Sequence, residues 1–294
     1  MRLIYIKLTL MALFFASSYP LGRYVAHFEA PSVVVFIRLF AGFLALVAIA
    51  HHCGQLKMKI TLQKFLRLSF LSLSGFCFHN YLIFKALGHA QANVGAVING
   101  AIPIIVTVLD FLLFGRRLSG LAVFGVVLAF VGTAVVVSHG SFRDFLNGQI
   151  GYGEIMFLVA AFGWSAFTIG SRELFQSISP LTVMTYAALV ALLLLLPAVL
   201  LNTETLIAIV SDPKALLLIS VQGVLSVSFG FVWFNEGVKR IGVANASVYL
   251  NLVPVFGVIL SAIMLSEIPD RPLLLGGAMV VIALLIVTRT QAAR

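Results

Sequence analysis

The sequence predicts an all-α membrane protein with about ten transmembrane helices, arranged as two inverted five-helix repeats. Three observations predict it. Apolar residues make up 61% of the chain and charged residues 10%, against roughly a quarter charged in soluble domains, and the mean hydropathy is +1.12. The apolar residues fall into ten runs, each close to the ~20 residues a helix needs to cross the hydrocarbon core. Polar and conformationally special residues then recur at a nearly constant distance along the chain.

In order, the runs predict helices at 5–22, 33–51, 66–85, 92–114 and 118–138, then at 153–171, 180–201, 215–235, 243–265 and 271–288, with charged or Gly/Pro/Asn-containing breaks between them. The first opens MRLIYIKLTLMALFFASSYPLGR, basic then apolar, which is also the form of a secretory signal. A counterpart in the second half of the chain argues that it stays as a helix. The longest polar break, HGSFRDFLNGQIG at 139–151, reads as a connector between a first repeat, 1–138, and a second, 152–294.

The repeats align by eye. Phe15, Arg23 and Pro31 match Trp164, Arg172 and Pro180 at an offset of 149; Asn93 and Asn99 match Asn245 and Asn251 at 152; Pro103 and Gly125 match Pro254 and Gly276 at 151. Each half holds an odd number of helices, so the second copy enters the membrane from the opposite side. Inverted duplication of this kind is common among secondary transporters.

The net charge of +9 would suit a nucleic-acid partner, but the basic residues stand singly or in pairs between apolar runs and form no phosphate-binding stripe. Topology accounts for them. With the N-terminus inside, thirteen fall on the cytoplasmic side (Arg2, Lys7, Lys57, Lys59, Lys64, Arg67, Arg116, Arg117, Arg172, Lys239, Arg240, Arg289 and Arg294) and five on the other (Arg23, Lys85, Arg143, Lys214 and Arg271). That bias orients a cell-membrane (inner-membrane) protein with both termini in the cytoplasm. The lipid bilayer and a small-molecule substrate are the expected partners, with monomer and homodimer both open.

Lipid cannot satisfy polar side chains, so those inside the helices should face the bundle or a cavity, and they form the candidate site. Arg38 lies about six residues into the second helix; it reads either as snorkelling to the outer interface or as a fixed charge near a substrate carboxylate. Asp110, near the inner end of the fourth helix, reads as a structural ion pair close to Arg116 and Arg117, with proton or ion coupling as its functional alternative. His79, Asn80 and Tyr81 are a polar cluster in the third helix, and successive residues point about 100° apart, so they cannot all face one cavity. Asn99 and Asn251 occupy matching positions shortly before Pro103 and Pro254, which would break their helices near the midplane and act as hinges; the two side chains read either as interhelical glue or as substrate-binding groups at the breaks. Phe15, Trp164 and Tyr249 would stack on an organic substrate or pack as ordinary core. Glycines such as Gly95, Gly125, Gly132, Gly223 and Gly276 should allow close helix approach.

No G-x-S-x-G, H-E-x-x-H or phosphate-cradling loop is present, so no catalytic residue, metal or cofactor is expected. His51 and His52 offer too few ligands for a metal, and Cys53 and Cys77 lie in different environments, which makes a disulfide unexpected.

The blocks ALGHAQAN…PI at 86–104 and GVANASVYLNLVPVF at 242–256, each followed by a Gly-containing apolar helix, resemble the EamA-type repeats of the drug/metabolite transporters. Ser266-Glu267, where these repeats often carry Gly-Glu, and Ala161-Phe162-Gly163-Trp164 add to the resemblance. Gly115-Arg116-Arg117 and Phe15 depart from it, standing where Glu and Trp are usual. The resemblance covers nearly the whole chain. It implies a secondary transporter working by alternating access, exporting small metabolites, amino acids or drug-like compounds. An importer of the same architecture and an intramembrane enzyme are the alternatives.

Overall fold

The computed structural model describes residues 2–56, 61–115, 119–141, 143 and 150–292. Most of the expected connector lies outside the described residues, as do Lys57, Lys59, Arg116, Arg117 and Arg294. Among the described residues, nine helices are long and apolar enough to cross a membrane. They are α1 (Arg2–Tyr24), α2 (Pro31–His52), α4 (Ala92–Phe114), α5 (Gly120–Val137), α6 (Tyr152–Ser177), α7 (Pro180–Leu200), α8 (Pro213–Ile241), α9 (Asn245–Leu265) and α10 (Arg271–Thr290). A continuous helical run over 62–86, here α3, completes the first repeat. It is less apolar because Ser72, Ser74, His79, Asn80 and Lys85 lie within it.

Helix starts follow from local chemistry. Pro31, Pro180 and Pro213 occupy first-turn positions, where no backbone donor is needed. Ser119 Oγ accepts the Ala122 N–H at 3.2 Å, and Asp212 Oδ1 accepts those of Lys214 and Ala215 at 3.0 and 3.1 Å, satisfying groups that a helix terminus leaves open. Two helices outrun their expected ends: α6 continues to Ser177 and α8 to Ile241. The charges there read as breaks in the sequence, yet they stay helical because their heads pair: Arg172 with Asp110, and Glu236 with Lys7 and Arg240. A short helix, Thr203–Ser211, also fills part of the expected loop between α7 and α8.

Packing displays the duplication. Helix α1 lies against α8 and α9, and its repeat equivalent α6 lies against α3 and α4; α2 rests on α8 as α7 rests on α3. Three pairs of equivalents, α2 with α7, α4 with α9 and α5 with α10, meet across the pseudo-twofold axis. Lipid supplies little hydrophobic drive between helices, so close backbone approach has to hold them. At the α5/α10 contact, a Cβ on Gly132 would lie 2.7 Å from the Gly276 carbonyl oxygen, and one on Gly276 would lie 2.5 Å from that of Gly132.

Irregularities in the helices repeat as well. Helices α3 and α8 each contain a π-helical segment, Ser72–His79 and Val224–Gly230. Helix α4 is interrupted at Ala101 and α9 by a 3-10 turn, Tyr249–Asn251. The fourth helix of each repeat ends on a left-handed residue, Gly115 (φ 64°) and Ser266 (φ 58°). Loosened backbone is thus concentrated in the third and fourth helices of both repeats, around the axis, which is where π-bulges and broken helices mark sites in membrane proteins.

Candidate functional site

Two π segments beginning at Ser72 and Val224 place His79 and Phe231 in equivalent positions, just as the sequence offset pairs Phe15 with Trp164. The structure brings these four side chains together. Phe15 on α1 meets Phe231 on α8 at 5.3 Å between ring centroids, and Trp164 on α6 meets His79 on α3 at 5.0 Å. Trp164 also approaches Phe231 at 5.9 Å, joining the two pairs. The result is a tetrad of rings from both repeats, with Phe15 and Trp164 near the midpoints of their helices. His79 is oriented by an Nδ1–H donated to the carbonyl of Ala160 at 2.8 Å, which leaves Nε2 as an acceptor in the neutral ring. One member of the expected polar cluster thus bonds a neighbouring helix, while Tyr81 turns toward Lys85, whose ammonium lies 5.8 Å from its ring.

One turn from Phe15 lies a polar knot centred on Arg38. The snorkelling alternative is overturned: Arg38 is only 7% exposed. Its Nε donates to Gln222 Oε1, its Nη1 to Asn80 Oδ1 at 2.6 Å, and its Nη2 to Ser226 Oγ at 2.9 Å. Gln222 in turn donates from Nε2 to the hydroxyls of Ser18 and Ser226. Asn80 spends its amide hydrogens on the carbonyls of Gly75 (2.9 Å) and Phe76 (3.1 Å) within the π segment. Arg38 can reach this far inward because α2 and α8 nearly touch: a Cβ on Gly223 would clash with the Arg38 carbonyl oxygen.

Asn99 and Asn251 lie at the interrupted parts of α4 and α9, 5% and 4% exposed. Sequence reasoning allowed them a role as interhelical glue; instead Asn99 Nδ2 returns to the Gly95 carbonyl of its own helix at 3.1 Å. Among the described residues, Asn99 Oδ1 and both polar atoms of the Asn251 side chain are buried without a hydrogen-bond partner. Leaving such groups unsatisfied costs about 1–3 kcal/mol each. Pro103 falls in the first turn after the α4 break, and Pro254 three residues beyond Asn251, where a Cβ on Gly100 would meet it at 3.0 Å. The breaks of the two repeats therefore face each other.

Other candidates lie apart. The Tyr249 ring stacks on Tyr5 at 6.2 Å, off the tetrad, in a cluster with Ile4, Leu8 and Ala246 toward the start of α1 against which Phe15 also packs. Asp110 receives both guanidinium nitrogens of Arg172, at 2.5 and 2.8 Å, so its basic neighbour here comes from α6; the expected partners Arg116 and Arg117 lie outside the described residues. Cys53 is exposed and Cys77 buried, both as free thiols. Sequence reasoning missed Ser18, Gln222, Ser226 and Phe231. Gln222 and Ser226 did leave a signal, as polar residues in an apolar run, whereas Phe231 is one of 25 phenylalanines and left none.

Stacking surface, a fixed positive charge and, at the helix breaks, buried amide atoms without a partner among the described residues are all supplied by the two inverted halves, which is suited to reversible binding. A model described as the EamA-like transporter family matches residues 2–138 and 151–289. Among curated relatives, an uncharacterized transporter of Bacillus subtilis is 24% identical over 88% of this chain and 85% of its own length. An uncharacterized transporter of Archaeoglobus fulgidus is 23% identical over 98% and 99%. A probable terminal-alkyne amino-acid exporter of Streptantibioticus cattleyicolor is 24% identical over 70% and 67%. One solved crystal structure shares the fold with a TM-score of 0.65 at 17% identity, covering 96% of this chain and 95% of the other.

Proposed function

Because this chain belongs to the EamA-like transporter family, we propose that it is a secondary exporter of small amphipathic organic solutes, bound at the aromatic tetrad and released by rocking of its inverted repeats. The observation that carries this reading is the pairing of Phe15–Phe231 with His79–Trp164 across the pseudo-twofold axis, together with the Asn99 Oδ1 and the Asn251 amide that, among the described residues, are buried without a partner at the breaks of α4 and α9. A solute lodged there would stack on rings supplied by both repeats and hydrogen-bond the amides, so that the same groups serve it from either side of the membrane. Pro103 and Pro254, next to the two breaks, are the proposed hinges.

The relative named as an amino-acid exporter favours export, and amino acids or their analogues as cargo. Overexpression should raise resistance to at least one toxic amino-acid analogue or metabolite in a broad panel, and lower its intracellular accumulation. Trp164→Ala and Asn251→Ala should each cut efflux of that compound at least tenfold at normal membrane abundance. Increased uptake and sensitivity across the panel would reverse the direction, and parent-level flux in both variants would place the cavity elsewhere.

A further inference from the structure

Arg38 has hydrogen-bond partners on all three guanidinium nitrogens and, among the described residues, a counter-charge on none. The ion pairs lie toward the ends of the helices: Lys7–Glu236–Arg240, Arg67–Glu173 and Arg172–Asp110 at one end, Arg23–Glu267 and His139–Glu154 at the other. A charge within the hydrocarbon core costs about 2.5–3.5 kcal/mol on insertion scales, and the neutral groups Gln222, Asn80 and Ser226 solvate it without cancelling it. A hub meant only to tie four helices together needs hydrogen bonds but no net charge.

The geometry points to Arg38 as the subsite for a carboxylate, which makes the transported class organic monocarboxylates with an apolar or aromatic body, zwitterionic amino acids included, rather than amphiphiles that carry no carboxylate. This assignment rests on the transport reading above. Three features carry it beyond the lone charge. A crevice with room for about one water molecule opens beside Arg38 between Leu21, Val25, Phe84, Ile219 and Gln222, so the Arg38 side chain borders open space as well as its polar partners. Part of its network persists without it: when it turns away, Ser226 Oγ keeps the Gln222 Nε2 donor at 3.0 Å and its own bond to the Gln222 carbonyl at 2.8 Å, and Gln222 Oε1 and Asn80 Oδ1 are the acceptors that need a new donor. A guanidinium freed in this way offers a planar fork matched to a carboxylate. Finally, the knot adjoins the tetrad: Asn80 follows His79, and Ser18 lies one turn beyond Phe15. A solute whose ring occupies the tetrad would thus present its carboxylate on the Arg38 side.

The test uses the full-length protein in detergent, with tryptophan fluorescence titration and thermal-shift measurements. The probes are phenylacetate and L-phenylalanine, their amides phenylacetamide and L-phenylalaninamide, and phenethylamine. The parent should bind the carboxylates at least tenfold more tightly than the amides, and in Arg38→Met that ratio should fall to near one. A merely structural role would lower stability without moving the ratio. Should Arg38→Met fail to fold, Arg38→Lys, which keeps the charge and loses the fork, should lower the ratio part of the way. Equal binding of acids and amides by the parent, no binding of the acids, or an unchanged ratio in the variant would overturn the assignment. In proteoliposomes, flux of labelled phenethylamine without flux of labelled L-phenylalanine would overturn the carboxylate subsite while leaving the transporter reading intact; flux of neither, nor of any compound from the resistance panel, would sink both.

Discussion

The buried ionisable side chains differ in what balances them, and that difference separates structure from function residue by residue. Asp110 is 8% exposed and meets Arg172 in a two-pronged pair, so its charge is compensated. Asp110→Asn leaves Arg172 without that charge and should cost about 1–3 kcal/mol, below the full penalty of a buried pair because Arg172 is partly exposed. The expected outcome is a lower unfolding temperature with the pH profile of transport unchanged in shape; a flattened profile would restore Asp110 as the coupling site. The polar residues to examine could be read from the sequence, because each interrupts an apolar run. Their partners could not. Nothing local in the sequence tells that Arg38 meets Gln222, separated from it by 184 positions, or that Asp110 meets an arginine 62 positions away.

At the scale of elements, one contact joins the two sides of the bundle at the end where α1 finishes. Ser266 holds a left-handed conformation at the end of α9 and turns Glu267 onto the start of α4. There Glu267 Oε2 accepts the N–H groups of Ala92 (2.9 Å) and Asn93 (3.2 Å), a favourable place for a carboxylate because the helix dipole is positive at that end. Arg23, at the end of α1, donates to the Leu87 carbonyl at 2.6 Å and lies 3.9 Å from Glu267. The turn between α3 and α4 is therefore clasped by residues from α1 and from the segment following α9. Glu267→Ala removes the acceptor of two backbone donors and should loosen that end by about 1–2 kcal/mol. Alkylation of a cysteine placed at Ser18 should then proceed several-fold faster from that side, and an unchanged rate would show that the clasp does not control access. The ten helices and most of their ends were readable as apolar runs. The π segments were not, since their backbone geometry comes from packing rather than from any residue type, and the short helix Thr203–Ser211 is too brief to show a period.

For the molecule as a whole, duplication makes the fold nearly symmetric, and charge is what distinguishes its two faces. Packing alone is indifferent to inversion: α1 on α8 and α9 is matched by α6 on α3 and α4. Orientation must come from the basic residues in the loops and the helix ends, which the topology expected from the sequence divides thirteen to five. Cytoplasmic retention of Lys and Arg leads to the prediction that the α1 start and the end of α2 lie inside. The chain carries its own reporter for this, because Cys53 is exposed just past α2 while Cys77 is buried. In intact cells an impermeant maleimide should leave Cys53 unlabelled, and a permeant one should label it. Thr205→Cys, on the short helix between α7 and α8, should behave oppositely in a Cys53→Ser background and react with the impermeant reagent. Since the two positions are assigned to opposite faces, labelling of both, or of Cys53 alone, by the impermeant reagent would reverse the orientation or break the ten-crossing topology, and with it the assignment of the Arg23–Glu267 clasp to the external face.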